Sequence, residues 1–135
     1  MSGGRLRHVA LAVPDLERAI EELSRVHDLH VGPIRVNEAQ GVRMAYLDLG
    51  NAKLELLSAT RPDSPVGRFL ARNPRGALHH VSFGTENLDA ACDTVLGAGG
   101  RLTGVPARNV DGARIAFIHP EGAGGLLVEL EEEGE

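Results

Sequence analysis

The sequence predicts an α+β fold in which one strand–helix–three-strand module is used twice. Three observations predict it: a self-similarity at a shift of 72 positions, strand-type alternation on both sides of each helical stretch, and Gly or Pro at the joints. "RHVALAVPDLERAIEEL" lies over "HHVSFGTENLDAACDTV", so that His8 falls on His80, Val9 on Val81, Asp15 on Asn87, Leu16 on Leu88 and Ala19 on Ala91. "QGVRMAYLDL" lies over "DGARIAFIHP" at a shift of 71, and "AKLELL" over "LLVELE" at 74. Gly41 then meets Gly112, Arg43 meets Arg114 and Glu55 meets Glu129. Shifts that drift where Gly and Pro occur are those that loop insertions leave. A chain of 135 residues is long enough for a single domain with a real core. The expected division is module one over about 5–60, a connector over about 61–76 and module two over about 77–131.

In the first module "LRHVALAV" alternates as a strand, and Pro14 and Asp15 punctuate it. Leu16, Ala19, Ile20 and Leu23 recur at helical spacing, which predicts an amphipathic helix of about three turns. "LHVGPIRV", "VRMAYLDL" and "KLELLSA" follow as strand candidates, the last two joined by the turn dipeptide "GN". In the connector "TRPDSPVGRFLARNPRG", Ser64 before Pro65 is a helix start, and Phe69 and Leu70 can anchor a short helix. The second module repeats the order: a strand over 77–84, a helix from Asn87 to Leu96 with Gly97 as its stop, and strands near 101–105, 113–119 and 125–131. The closing "ELEEEGE" reads as a strand end followed by a solvated acidic tail.

Composition excludes several functions. With 42% apolar and 24% charged residues and no apolar run of about 20 residues, the chain reads as a globular protein without a membrane span. The opening residues lack the apolar core of a secretory leader, so the expected location is the cytoplasm. A net charge of −5 speaks against a broad surface for DNA or RNA. The single cysteine, Cys92, excludes a disulfide framework and reads as a buried, inert thiol.

Alternation also picks out a candidate site. Successive strand residues face opposite ways, so His79 and His80 cannot share an environment. Val81 and Phe83 form the ordinary packing face, leaving His80 with the small residues Ser82 and Gly84. His8 likewise shares its face with Ala10 and Ala12, opposite Val9, Leu11 and Val13. Glu55 and Glu129 each lie in the last strand of a module, facing away from their leucine and valine neighbours. An ionised glutamate on an interior face must be paired or metal-bound. His8, Glu55, His80 and Glu129 are therefore a candidate set of four ligands related by a pseudo-two-fold axis. Imidazole and carboxylate together suit a divalent ion such as Co, Mn, Ni or Zn. A lone strand histidine is more often a packing residue; the recurrence of both residue types at matched positions distinguishes these four. His27, His30, His79 and His119 have no such support and read as surface, turn or packing residues. Arg43 and Arg114 read as solvated strand residues.

With these residues in view, the chain resembles the vicinal oxygen chelate superfamily, and within it the methylmalonyl-CoA epimerases. "HVALAVPDLERAI", "EAQGVRMAYLDLGNAKLELL", "DSPVGRFLARNPRGALHHVSF" and "IAFIHPEGAGGLLVELEE" carry the resemblance and span most of the chain. It implies that two βαβββ modules form a half-barrel around a divalent metal held by His8, Glu55, His80 and Glu129. It also implies a CoA-thioester substrate, a homodimer, and epimerisation of methylmalonyl-CoA by α-proton abstraction through an enolate that the metal stabilises. Glu129 is the implied acid/base. Glu55 or a water is the candidate for the opposite face. Some members carry a second catalytic glutamate where this chain has Met44, and helix one lacks their usual "FY" pair. The alternatives are a lactoylglutathione lyase of the glyoxalase I type and a non-catalytic antibiotic-binding protein of the same superfamily. The connector "DSPVGRFLARN" favours the epimerase over the first, and retention of the two His and two Glu favours it over the second.

Overall fold

A computed structural model of the chain describes residues 4–134. The first three residues, part of the stretch read for a leader, and the last residue of the acidic run lie outside it. In order the elements are β1 (Arg5–Ala12), α1 (Leu16–Val26), β2 (Arg35–Asn37), β3 (Val42–Asp48), β4 (Lys53–Ala59), α2 (Pro65–Arg72), β5 (Ala77–Thr85), α3 (Leu88–Gly97), β6 (Ala107–Arg108), β7 (Arg114–Ile118) and β8 (Val128–Glu132). The α+β class expected from the sequence is the one observed. The chain forms two compact units: one runs up to His8 and resumes at His80, the other is Val9–His79.

In the unit Val9–His79 the strands lie in the order β2-β3-β4-β1, with β2, β3 and β4 antiparallel. The Asp15 side chain accepts the Arg18 N–H at 3.0 Å and starts α1 at the predicted place. Leu16, Ala19, Ile20 and Leu23 pack on Leu11, Leu47, Leu54 and Leu56, so the helical stripe meets one face of the strands. The strand expected over "LHVGPIRV" shrinks to the three residues of β2. Gly32 and Pro33 break the strand, yet Leu29, Val31 and Ile34 still enter this core from irregular chain. In the connector, Ser64 Oγ accepts the Gly67 N–H at 3.0 Å and donates to the Arg61 carbonyl at 2.9 Å, fixing the start of α2.

The other unit repeats this arrangement. β6, β7, β8 and β5 lie in the order in which β2, β3, β4 and β1 lie. β5 runs parallel to β8, whereas β8–β7 and β7–β6 are antiparallel. Asn87 caps α3 as Asp15 caps α1, accepting the Ala90 N–H at 3.0 Å. Leu88 and Cys92 pack with Ala116, Ile118, Val128 and Leu130, which makes Cys92 the buried core thiol expected. Burial is the main cause that raises its pKa, with Asp89 and Asp93 adding to it.

Three expectations in this unit need correction. The strand near 101–105 is a single bridge, Leu102 to Ile118, because Gly104 turns left-handed at φ +115° and Pro106 follows. Gly97 is the last helical residue of α3, but the left-handed turn beyond the helix falls on Gly99 at φ +91°. Alternation puts Phe83 on the packing face, yet it is 36% exposed and outside the core, since α3 lies over β7 and β8.

The matched arginines are likewise not merely solvated. Arg43 on β3 grips Glu17 in the first turn of α1 through two hydrogen bonds of 3.2 and 2.5 Å. Arg114 on β7 grips Asp89 in the first turn of α3 at 3.4 and 2.7 Å. These hydrogen bonds hold both carboxyls below their ordinary range. Glu17 and Asp89 are themselves 72 positions apart, the repeat's own shift, and that was the sequence signal for the pairs.

Candidate metal centre

Three of the four candidate ligands come together within one unit. On β1, His8 shares a buried face with Ala10 and Ala12, while Leu11 belongs to the core beneath α1. On β5, His80 and Ser82 are buried on one face. On β8, Val128 and Leu130 enter the α3 core, and Glu129 is buried on the other face. The small residues beside each histidine leave room for its ring.

His8 Nε2 stands 3.0 Å from His80 Nε2 and 3.4 Å from Glu129 Oε1; His80 Nε2 is 3.9 Å from Glu129 Oε2. One donor atom from each residue lies within 4.8 Å of the other two. The imidazoles meet edge to face with centroids 5.1 Å apart, and Phe117 lies edge-on to His80 at 5.2 Å, which steadies its ring. All three residues are 5% exposed or less. Two imidazole nitrogens facing one another beside a buried carboxylate concentrate acceptors unless a proton or a cation sits among them. Ligands held about 2.1 Å from a cation are about 3.0 Å apart at a right angle and about 3.4 Å apart at a tetrahedral angle. The separations of 3.0 and 3.4 Å fall near these values and the third, 3.9 Å from His80 to Glu129, is wider; the chemistry of two buried imidazoles beside a carboxylate suits a divalent cation.

Glu55, the fourth candidate, is buried on β4 of the unit Val9–His79 and stands in register with Tyr46 on β3. Its neighbours Leu54 and Leu56 pack beneath α1, so its side chain faces the other way, as alternation requires. Met44 is buried on β3, in register with Leu57.

The other histidines behave as expected. His79 packs edge-on against Phe69 of α2 at 4.8 Å, and burial pushes its pKa down to about 4, keeping it neutral. His27 closes α1 and His30 is exposed. His119 Nδ1 accepts the Glu121 N–H at 3.0 Å in a loop.

The sequence reading missed Glu131. It is 7% exposed and holds Arg7 Nη2 at 3.1 Å, while Arg7 Nη1 reaches Glu133 at 3.2 Å. Glu132 accepts the Leu88 N–H at the start of α3 at 2.9 Å. The acidic run that composition predicts to be a solvated tail is thus engaged through Glu133. Continuing the alternation from Glu129 by two residues would have found Glu131.

The family model of the glyoxalase/bleomycin resistance protein/dioxygenase superfamily matches residues 7–117. The ethylmalonyl-CoA/methylmalonyl-CoA epimerase of Cereibacter sphaeroides is 39% identical over 96% of this chain and 98% of its own. A Streptomyces coelicolor methylmalonyl-CoA epimerase variant, solved in complex with 2-nitronate-propionyl-CoA, superposes with a TM-score of 0.89 at 38% identity, covering 99% of this chain and 100% of that one. Methylmalonyl-CoA epimerase from Mycobacterium tuberculosis does so with a TM-score of 0.87 at 31% identity, covering 97% and 89%. Likeness of this extent, with the matched His and Glu of the repeat in place, assigns the chain to the glyoxalase/bleomycin resistance protein/dioxygenase superfamily and, within it, to the family of the methylmalonyl-CoA epimerases.

Proposed function

We propose that this protein inverts carbon 2 of methylmalonyl-CoA, between the (2R) and (2S) forms, with a divalent cation held by His8, His80, Glu129 and Glu55. The observation that carries the reading is the buried convergence of His8, His80 and Glu129 in a chain of this family. Glu55 supports it as the fourth donor because it is a buried carboxylate at the repeat position of Glu129. When bound, the cation supplies positive charge for the thioester oxygen on which negative charge grows, an effect worth several kcal/mol.

The chain's own residues do the rest. Glu129 takes the α-proton from one face of carbon 2, and the C–H electron pair passes into the thioester enolate. A proton then returns to carbon 2 on the opposite face from Glu55 or from a water. Met44 supplies no acid or base. The Phe117 ring, edge-on to His80, helps orient that imidazole.

The test is loss of the α-proton signal of methylmalonyl-CoA in deuterium oxide, followed by NMR on cobalt-loaded protein. Glu129→Gln is expected to slow this exchange by about 10²- to 10⁴-fold, the usual contribution of a positioned base. Exchange at the wild-type rate removes Glu129 from the role. A wild-type protein that binds a divalent cation but exchanges nothing removes the epimerase reading.

A further inference from the structure

Ser82 lies two residues beyond His80 on the same face of β5, is 0% exposed, and among the described residues its Oγ has no hydrogen-bond partner. A buried hydroxyl in that state is unfavourable unless a neighbouring group comes to accept from it. Its value has to lie toward its neighbours. The parallel register of β5 and β8 sets Ser82 directly beside Glu129, with both side chains on the same face. A serine hydroxyl can donate, an ionised carboxylate can only accept, and a hydrogen bond to a charged acceptor is of the stronger kind.

From this we infer that Ser82 is a positioning residue for Glu129, its hydroxyl turning to donate to the carboxylate when the three donors hold a cation. The carboxylate then has its ligating oxygen toward the cation and its other oxygen steadied by Ser82. That second oxygen still has a free lone pair for the substrate's proton. Partners of this kind around a ligating carboxylate govern cation affinity. The inference rests on His8, His80 and Glu129 being cation donors and deepens that reading.

The test compares wild type with Ser82→Ala and Ser82→Cys, using Co2+ as the probe. Cysteine nearly keeps the volume but is a weak donor, so the pair separates hydrogen bonding from packing. Calorimetric titration is expected to show Co2+ binding about 10-fold weaker or more in both variants. The visible spectrum of bound Co2+ is expected to change as the released oxygen alters the ligand field, which a merely structural role would not do. The metal-free variants are expected to melt at or above the wild-type temperature, because they lose an unpartnered hydroxyl. If Ser82→Ala does not fold, Ser82→Cys alone decides. Wild-type affinity in the variants, restoration by cysteine, or an unchanged spectrum overturns the role of Ser82 and leaves the cation site standing. Failure of wild type to bind Co2+ overturns both.

Discussion

Gly67 shows how one position can require a residue that helix propensity disfavours. It sits inside α2, where alanine would be favoured by about 1 kcal/mol. A Cβ at that position, however, would stand 2.5 Å from the Arg61 carbonyl oxygen and 2.6 Å from that of Pro62, both backbone atoms of the turn that Ser64 ties down. Relieving such overlap costs about 1–3 kcal/mol, so Gly67→Ala is expected to lower the melting temperature. Thermal unfolding followed by circular dichroism checks this, and a more stable variant would show that the turn can yield. At the same scale the sequence made the choice between His79 and His80 readable, because alternation sends adjacent residues to opposite faces. It could not show that Ser82 has no hydrogen-bond partner among the described residues, since that depends on β8, nearly 50 positions away, lying beside β5.

Between helix and strand, the repeat has kept an ion pair as well as a fold. Arg43 with Glu17 and Arg114 with Asp89 each tie a strand to the first turn of the helix above it. Acidic residues are favoured there by the helix dipole. A carboxyl whose pKa is lowered on folding binds its proton less readily folded than unfolded. The stabilisation is therefore present above the ordinary carboxylate range and is lost as pH falls through the lowered values. The double variant Arg43→Met with Arg114→Met is expected to melt below wild type at neutral pH and to converge with it in acid. Melting curves across pH check this, and a gap that persists in acid would assign the effect to packing. The helices were legible because apolar spacing and capping residues are local signals. The strands expected near 29–36 and 101–105 were not fully so, because Leu29, Val31 and Ile34 enter the core from irregular chain and pairing is confined to β2 and to the single bridge at Leu102.

At the scale of the molecule, a ligand that binds only the folded chain stabilises it by mass action. With Co2+ at about 100 times its dissociation constant the gain is about 2.7 kcal/mol, or about 10 °C in melting temperature for a chain of this size. Calorimetry with and without Co2+, then with a chelator, checks this; an unmoved transition would mean the donors do not act together. The duplicated topology was legible because matched positions repeat along the chain. The two units were not: they divide β1 between His8 and Val9 and β5 between His79 and His80, inside strands that alternation reads as continuous.

The three donors belong to three different strands, at positions 8, 80 and 129. In a metal knuckle, cysteines a few residues apart can seize the ion early and draw a loop around it. Here no short stretch of chain gathers even two donors, so closing the loops between them must come first. A cation bound by these three side chains would therefore be captured late, after the strands that carry them have come together, and would not seed the fold.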